Sequence, residues 1–565
     1  MARIGIFLIV AALVAGMAGC GGGGGDGESY TLTVNSTAGG VVAVSNVTIP
    51  GTATFTYDPG TVVNLNATQD TGYYFAGWTG NVSTVGNVSS ASTTITMNGD
   101  YLITAMFVRQ YRLIIGGSDG GTVTSPGTGP YYTYDAGTVV NLVATPAAGY
   151  QFSRWTGNVS TVANVSSAST TITMNDYYLI TAIFALEIRD WYDLDAVRNN
   201  WGGEFVLMND LDSTTPGYAE LASATANGGE GWQPIGTFSN GFHGIFDGQG
   251  HEIKDLFINR PGENYTGLFG HLAEGVIESV GVVNATVAGD YYVGSLAGHN
   301  DGTVSNCHAS GSVSNTENGV GGLVGWNDGD IVGGSYAACN VTGKYQVGGL
   351  VGYNDGTVSD SCATGNVAGF GWTGGLVGGN SGGTVNNCYA TGNITNGSIV
   401  GGLVGNNYAS KVSNCYATGS VSGWDYAGGG LIGRSYSRSS TVTNCYATGS
   451  IAGTQYAAGL VGINEYSTVS DCYSIGSADG DIEGGLIAFN DHGTVTDSFW
   501  DTQSSGQPTS DGGMGKTAAE MKDIVTFSGA TWNITAVASP SLCNLSYIWN
   551  IVDDVTYPFL SWQPV

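Results

Sequence analysis

"GGLVGNNYASKVSNCYATGSVSG" (residues 401–423) decides the fold, because the chain repeats it. Residues 374–395 read "GGLVGGNSGGTVNNCYATGNIT", and residues 429–452 read "GGLIGRSYSRSSTVTNCYATGSIA". Anchored on the leucine of GLVG, the phrase falls at Leu268, Leu296, Leu323, Leu350, Leu376, Leu403, Leu431, Leu460 and Leu486, at intervals of 26–29 residues. A repeat of that length has no room for its own core, so its apolar face must be buried by stacking on its neighbours. Each copy holds strand-like pieces, GGLVG, TVSNCYAT and GSVSG, divided by Gly and Asn/Asp-Gly pairs, with no helical period. The sequence therefore predicts a parallel β-solenoid of about ten coils of ~27 residues, like residues stacked ~4.8 Å apart.

Stacking turns sequence positions into columns. Val304, Ile331, Val358, Val385, Val412, Val442, Val469 and Val495 form one that is never polar and reads as core. Three residues on, Cys307, Cys388, Cys415, Cys445 and Cys472 share a column with Ser335, Ser361 and Ser498. Rungs ~4.8 Å apart exceed the Cβ spacing a disulfide wants, ~3.5–4.5 Å. Exchange with serine also argues for small, buried, free thiols, although an exported chain leaves disulfides open. Cys339 and Cys362 fall outside the column, in the places of a glycine and a tyrosine. Directly after it come His308, Tyr336, Cys362, Tyr389, Tyr416, Tyr446, Tyr473 and Phe499. If Cys points in, these point out, and Tyr389, Tyr416, Tyr446 and Tyr473 become a candidate ligand-binding strip for sugar rings. The alternative is an inward aromatic stack, because a bend must intervene between the Val and Cys columns. Asp360, Asp471 and Asp497 alternate with Asn306, Asn387, Asn414 and Asn444 in a further column, read as a stacking ladder.

"GGLVGYNDGTVSDSCATGNV" (348–367) and its siblings resemble the GLUG motif of bacterial surface proteins. Residues 204–262 and 498–563 resemble the segments that usually precede and follow such arrays. Caps are physically expected, because open solenoid ends expose unpaired strand edges. A helix is expected over Asp190 to Asn199, with Asp190 as N-cap, and another over Thr517 to Ile524.

Nearer the start, "WTGNVSTVGNVSSASTTITMNGDYLITAMF" (78–107) recurs at 155–184 with four differences. Alternation in TVVNLNAT and TTITM argues strands. The two copies, with the halves before them, resemble the divergent internalin-type B repeat. The resemblance implies spacers or weak binding units, and Trp78 and Trp155 read as core anchors of small domains rather than exposed platforms. The opening "MARIGIFLIVAALVAGMAGC" is a secretory signal, too short for an ordinary spanning helix. Its end resembles a lipobox, which implies an acylated Cys20, with Met17 in the usual leucine place. The chain is thus divided into a lipoprotein signal peptide (1–20), a Gly-rich tether (21–29), B repeats at 30–108 and 111–185, an N-terminal cap (186–262), the solenoid (263–500) and a C-terminal cap (501–565).

Ninety-four glycines and a formal charge of −30 complete the picture. Such a surface repels nucleic acid and anionic headgroups. No His-Glu-x-x-His, phosphate loop or nucleophile elbow occurs, and no carboxylate pair stands out as catalytic. Asp355, Asp360, Asp471 and Asp491 occupy turn positions. No cofactor or metal is expected, although the acidic turns NDGD (327–330) and DGDIEGG (479–485) offer oxygen ligands of the kind calcium takes. The expected fold is all-β. The expected function is a non-enzymatic lipoprotein, exported and lipid-anchored at the cell surface, that presents its solenoid to a glycan, matrix or surface protein of another cell. A carbohydrate-active β-helix enzyme and a plain envelope spacer remain the alternatives.

Overall fold

The computed structural model describes residues 27–127 and 129–563. The expected signal peptide and Cys20 lie outside the described residues. Two compact units account for the rest. The first comprises the described residues up to Gly117 with Val123–Ala144 and Arg154–Ala182; the second comprises Ser118–Thr122, Thr145–Ser153 and residues from Ile183 on.

In the first unit, period-2 alternation sets two-sided strands: Val62–Gln69 buries every second residue. Tyr30–Ser36 pairs with Ala53–Tyr57 and with the start of Tyr101–Gly117, which also pairs with Tyr73–Gly80. A second sheet is ordered Val47–Ile49, Gly40–Val44, Val62–Gln69 and Ser92–Thr96. Leu32, Val34, Leu65, Ile95, Ile103 and Trp78 pack together as the core. Trp78 and Trp155 are both buried core anchors, and each donates its indole N–H at 3.0 Å to a backbone carbonyl, Ser90 and Ser167 respectively. The 17-residue strand Tyr101–Gly117 serves both modules, for its second half pairs with Gly129–Asp135 and Tyr178–Ala182.

In the second unit, Asp190 caps the short helix Trp191–Ala196, accepting from the Tyr192 and Asp193 amides at 2.9 Å. Aromatic side chains of this region, Trp191, Trp232, Phe205, Phe242 and Phe246, run into the same buried cluster as the coil interiors and plug that end. Beyond it stands a parallel β-solenoid of about nine turns. Each typical coil contributes a TVS strand such as Thr384–Asn386, a CYAT strand such as Tyr389–Ala390, and a GLVGxN strand such as Val404–Tyr408. All pair in parallel and in register with the next coil. The leucine anchors and the valine column Val304 to Val469 are fully buried.

The corner between the first two strands is built by the Asn/Asp column. Asn306, Asp360, Asn387, Asn414, Asn444, Asp471 and Asp497 have φ between 45° and 54°. Among residues with a Cβ, Asn and Asp visit this left-handed region most readily. The expected ladder is therefore primarily a backbone corner, although Asn387 also donates to Asp360 at 3.0 Å.

At the far end, Met514–Lys516 adds one rung beside Phe499–Asp501. The segment then folds back along the side of the solenoid. The helix expected over Thr517–Ile524 is instead a 3-10 turn, Glu520–Lys522, followed by the helix Ile524–Ser528, because the Asp523 side chain caps the Val525 amide and starts the helix later. A small sheet of Ile534–Ala536, Trp549–Ile551 and Phe559–Leu560 follows.

Candidate functional site

The corner residue decides which way each neighbour points. Cys307, Cys388, Cys415, Cys445 and Cys472 join the interior cluster, while Tyr416, Tyr446, Tyr473 and Phe499 belong to a separate one. Each column cysteine gives its Sγ to the carbonyl two residues back, at 3.1 Å in Cys388, and Ser361 does the same at 2.7 Å. All eight cysteines of the described residues are free. Burial pushes the Cys307 thiol up to about 12 and the Cys339 thiol up to about 11. These are inert packing groups. Cys339 pairs opposite Gly311, and Cys362 stands between Tyr336 and Tyr389.

The tyrosine column points outward, with Tyr389, Tyr416, Tyr446 and Tyr473 stacked at 5.0–5.1 Å. It is nevertheless not an open strip. Tyr416, Tyr446 and Tyr473 pack with Met521, Phe527, Trp532, Trp549 and Leu560 of the C-terminal segment, and Tyr473 is only 2% exposed. The Tyr446 hydroxyl donates to Gln563 at 2.8 Å, and that of Tyr473 to the Pro558 carbonyl at 2.6 Å. Tyr389 packs on the edge of this cluster. The expectation of a ligand strip is corrected here: an outward apolar stripe on a solenoid must be covered by something, and the chain covers this one itself.

A different column carries the rung-to-rung hydrogen bonds. Asn300, Asn327, Asn354, Asn380 and Asn407 lie four residues after successive leucine anchors and are fully buried. Each of the first four donates Nδ2 to the next Oδ1, at 2.6, 2.7, 2.8 and 3.0 Å. Ser435 interrupts the series and accepts from Asn407 at 3.2 Å, and Asn464 resumes it to Asn490 at 2.8 Å. Sequence reasoning missed this column, although its constant offset from the leucines was the available signal.

The residue before that asparagine points outward. In the first coils the equivalent residue is His271, which precedes Leu272, and then His299, Trp326 and Tyr353. The His271 and His299 rings stack at 4.7 Å and 9°, and His299 stacks on Trp326 at 4.3 Å. His271 Nε2 lies 2.8 Å from Asp301 Oδ2, and His299 Nε2 lies 3.1 Å from Asp301 Oδ1 and 3.3 Å from Asp328 Oδ2. His271, His299 and Asp301 form a compact set of potential metal ligands, in a chain whose sequence suggested none. Of the turn carboxylates, Asp355 is raised above the ordinary range by burial and then by Asp328, and Asp471 by burial.

An exposed aromatic group lies on another face. Phe370 is 52% exposed, Trp424 49% and Tyr345 41%. Phe370 sits 5.1 Å from Trp424 and 6.1 Å from Tyr345. Beside them is a cleft of about 380 Å³, whose lining includes Thr342, Ala368, Asn396, Phe370 and Trp424.

Comparison with known proteins matches two families. The Divergent InlB B-repeat domain matches residues 30–110 and 111–188, and the GLUG motif matches 289–314, 373–395, 396–422 and 425–452. The chain is 30% identical over 171 residues to halomucin of Haloquadratum walsbyi, covering 28% of this chain and 2% of that protein. It is 38% identical over 123 residues to a Gly-rich membrane protein of Evansella cellulosilytica, covering 20% and 13%. The chain thus spans a small part of the length of the curated relatives it matches. A solved structure from Bacteroides ovatus named for immunoglobulin A1 protease aligns at 19% identity and TM-score 0.31, over 67% of this chain and 93% of that one. An IgA1 protease aligns at 15% and 0.32, over 64% and 29%. Among the described residues, no helix is long and apolar enough to cross a membrane.

Proposed function

We propose that this protein, which carries two divergent InlB B-repeat domains and a GLUG solenoid, is a non-enzymatic adhesion or binding scaffold, lipid-anchored through Cys20 at the cell surface. The observation that carries the binding reading is the Tyr345, Phe370 and Trp424 group. Three large rings exposed together cost solvation unless a partner covers them. Flat rings beside hydroxyl and amide groups suit the apolar face and polar rim of a sugar. The charge of −30 disfavours polyanionic chains, so the ligand class is a neutral glycan. The GLUG and B-repeat matches support a repeat scaffold, and the relative named as a membrane protein supports a membrane-associated setting.

A glycan array probed with wild type and with the double variant Phe370→Ala, Trp424→Ala tests the reading. Each lost stacking contact is worth about 0.5–1.5 kcal/mol, so binding to the best glycan should weaken about five- to a hundredfold. Both rings are half exposed, so the variant should fold. Undiminished binding in the variant, or no glycan bound by folded wild type, refutes the assignment. Anchoring is tested separately by labelling with a fatty-acid analogue, which Cys20→Ser should abolish.

A further inference from the structure

His271 and Asp301 stand in an arrangement that requires a positive charge between them. The His271 Nδ1 lies 3.3 Å from the Thr237 carbonyl, which only accepts, so Nδ1 carries a proton. In the neutral ring Nε2 is then a bare lone pair, and it faces the Asp301 carboxylate at 2.8 Å. Two acceptors at that distance need a proton or a cation between them. His299, whose buried Nδ1 has no partner, turns its Nε2 toward the same Asp301 and toward Asp328 from the next coil. Protonating both rings would put two like charges in imidazoles stacked 4.7 Å apart, with side chains only 6% and 3% exposed. Burial is costly for unpaired charge. Neutral imidazole is also the form that ligates metals.

We propose that His271, His299 and Asp301 bind one first-row divalent transition ion, zinc above all, at the N-terminal end of the solenoid. Two imidazole nitrogens and a carboxylate are borderline-hard ligands of the type zinc takes in three-ligand sites, with water filling the rest. Calcium and magnesium prefer all-oxygen shells. The outer contacts fit the role. The Thr237 carbonyl orients His271, and Asp328, which faces His299, is held by the Trp326 indole N–H at 2.9 Å. Asp301 also lines an open cleft of about 560 Å³ with Trp201, His243 and Glu274, which gives an ion a path in. Bound there, the ion clips strand Phe269–Leu272 to strand Ala297–Asn300 and its following turn, and so ties the first two coils together.

The test titrates Zn²⁺ into tag-free, chelator-stripped full chain by calorimetry, with Co²⁺ absorption as a second readout. One equivalent is expected to bind, and the unfolding midpoint should rise with Zn²⁺. His271→Gln and Asp301→Asn should each weaken affinity about 10- to 100-fold and remove the thermal shift. Asp425→Asn, elsewhere on the solenoid, should change neither. Absence of saturable binding in wild type overturns the proposal, as does unchanged affinity in the variants. Should His271→Gln fail to fold, Asp301→Asn decides, because Asp301 is 34% exposed and replaceable.

Discussion

Replacing one rung of the asparagine ladder tests the physical account of the solenoid most directly. Asn354 accepts from Asn327 at 2.7 Å and donates to Asn380 at 2.8 Å and to the Gly356 carbonyl at 3.1 Å. Asn354→Ala removes all three bonds. At about 0.5–1.5 kcal/mol net for each, the loss is about 1.5–4.5 kcal/mol. The orphaned groups add to it unevenly. Asn327 Nδ2 keeps the Gly329 carbonyl at 2.9 Å, but Asn380 Oδ1 is left buried without its donor. We expect a total of about 2–5 kcal/mol. Asn393→Ala is the control. Its Oδ1 accepts from the Ser420 amide at 3.0 Å on an exposed edge where water can replace it, so the cost should stay near 0.5 kcal/mol. Urea unfolding followed by tryptophan fluorescence gives the totals. Stacked repeats need not unfold in one step. Hydrogen exchange should therefore also show faster opening at Val351–Asn354 and Val377–Ser381. If Asn354→Ala costs no more than Asn393→Ala, the ladder does not hold the coils together.

Further outcomes follow from the other columns. Cys388→Ser should cost less than about 1.5 kcal/mol, since Ser361 already makes the equivalent bond one coil away, and the buried column thiols Cys307, Cys388, Cys415, Cys445 and Cys472 should resist maleimide until urea opens the solenoid. A loss of several kcal/mol, or rapid native labelling, would contradict the packing role. Asn387→Val should destabilise by about 1–2 kcal/mol because φ is 53° there, and Asn387→Gly by markedly less; equal costs would remove the corner argument. Burial, with neighbouring tyrosines adding to it, raises Tyr416, Tyr446 and Tyr473 above the ordinary 10.0. The unfolded chain therefore sheds these protons first, so the stability they confer is complete below pH 10 and lost as pH rises beyond it. Phenolate absorbance for these rings should appear together with loss of near-ultraviolet dichroism, whereas free titration near pH 10 in an intact fold would refute their burial.

Much of this architecture is legible in the sequence because stacking writes itself as columns. The leucine spacing, the valine column and the exchange of Cys with Ser all reflect one interior that every coil must fill, and the solenoid follows from them. Trp78 and Trp155 were readable for a similar reason, each being the single tryptophan of its small module. The tyrosine column was not settled by alternation, since the corner at Asn387 and its equivalents resets the parity of inside and outside. Its cover was illegible because Trp532 and Trp549 follow no repeat and meet their partners only after the chain doubles back. The asparagine ladder was hidden by habit: Asn-Asp-Gly reads as a solvated turn, yet its first residue points into the coil. His299 and Asp301 are two residues apart, but His271 lies a whole coil earlier, and only the stacking of consecutive coils makes it their neighbour.

The self-covered tyrosine stripe also bears on how the molecule comes into being. A chain made from its N-terminus completes the coils carrying Tyr389, Tyr416, Tyr446 and Tyr473 before the residues that shelter them exist. During that interval a row of bare rings 5.0–5.1 Å apart faces outward, the kind of surface that draws other unfinished chains. Seating Trp532, Trp549 and Leu560 ends the interval. The final stretch thus works as a latch on maturation: a molecule truncated before it would keep a well-formed solenoid and yet remain adhesive toward its own kind.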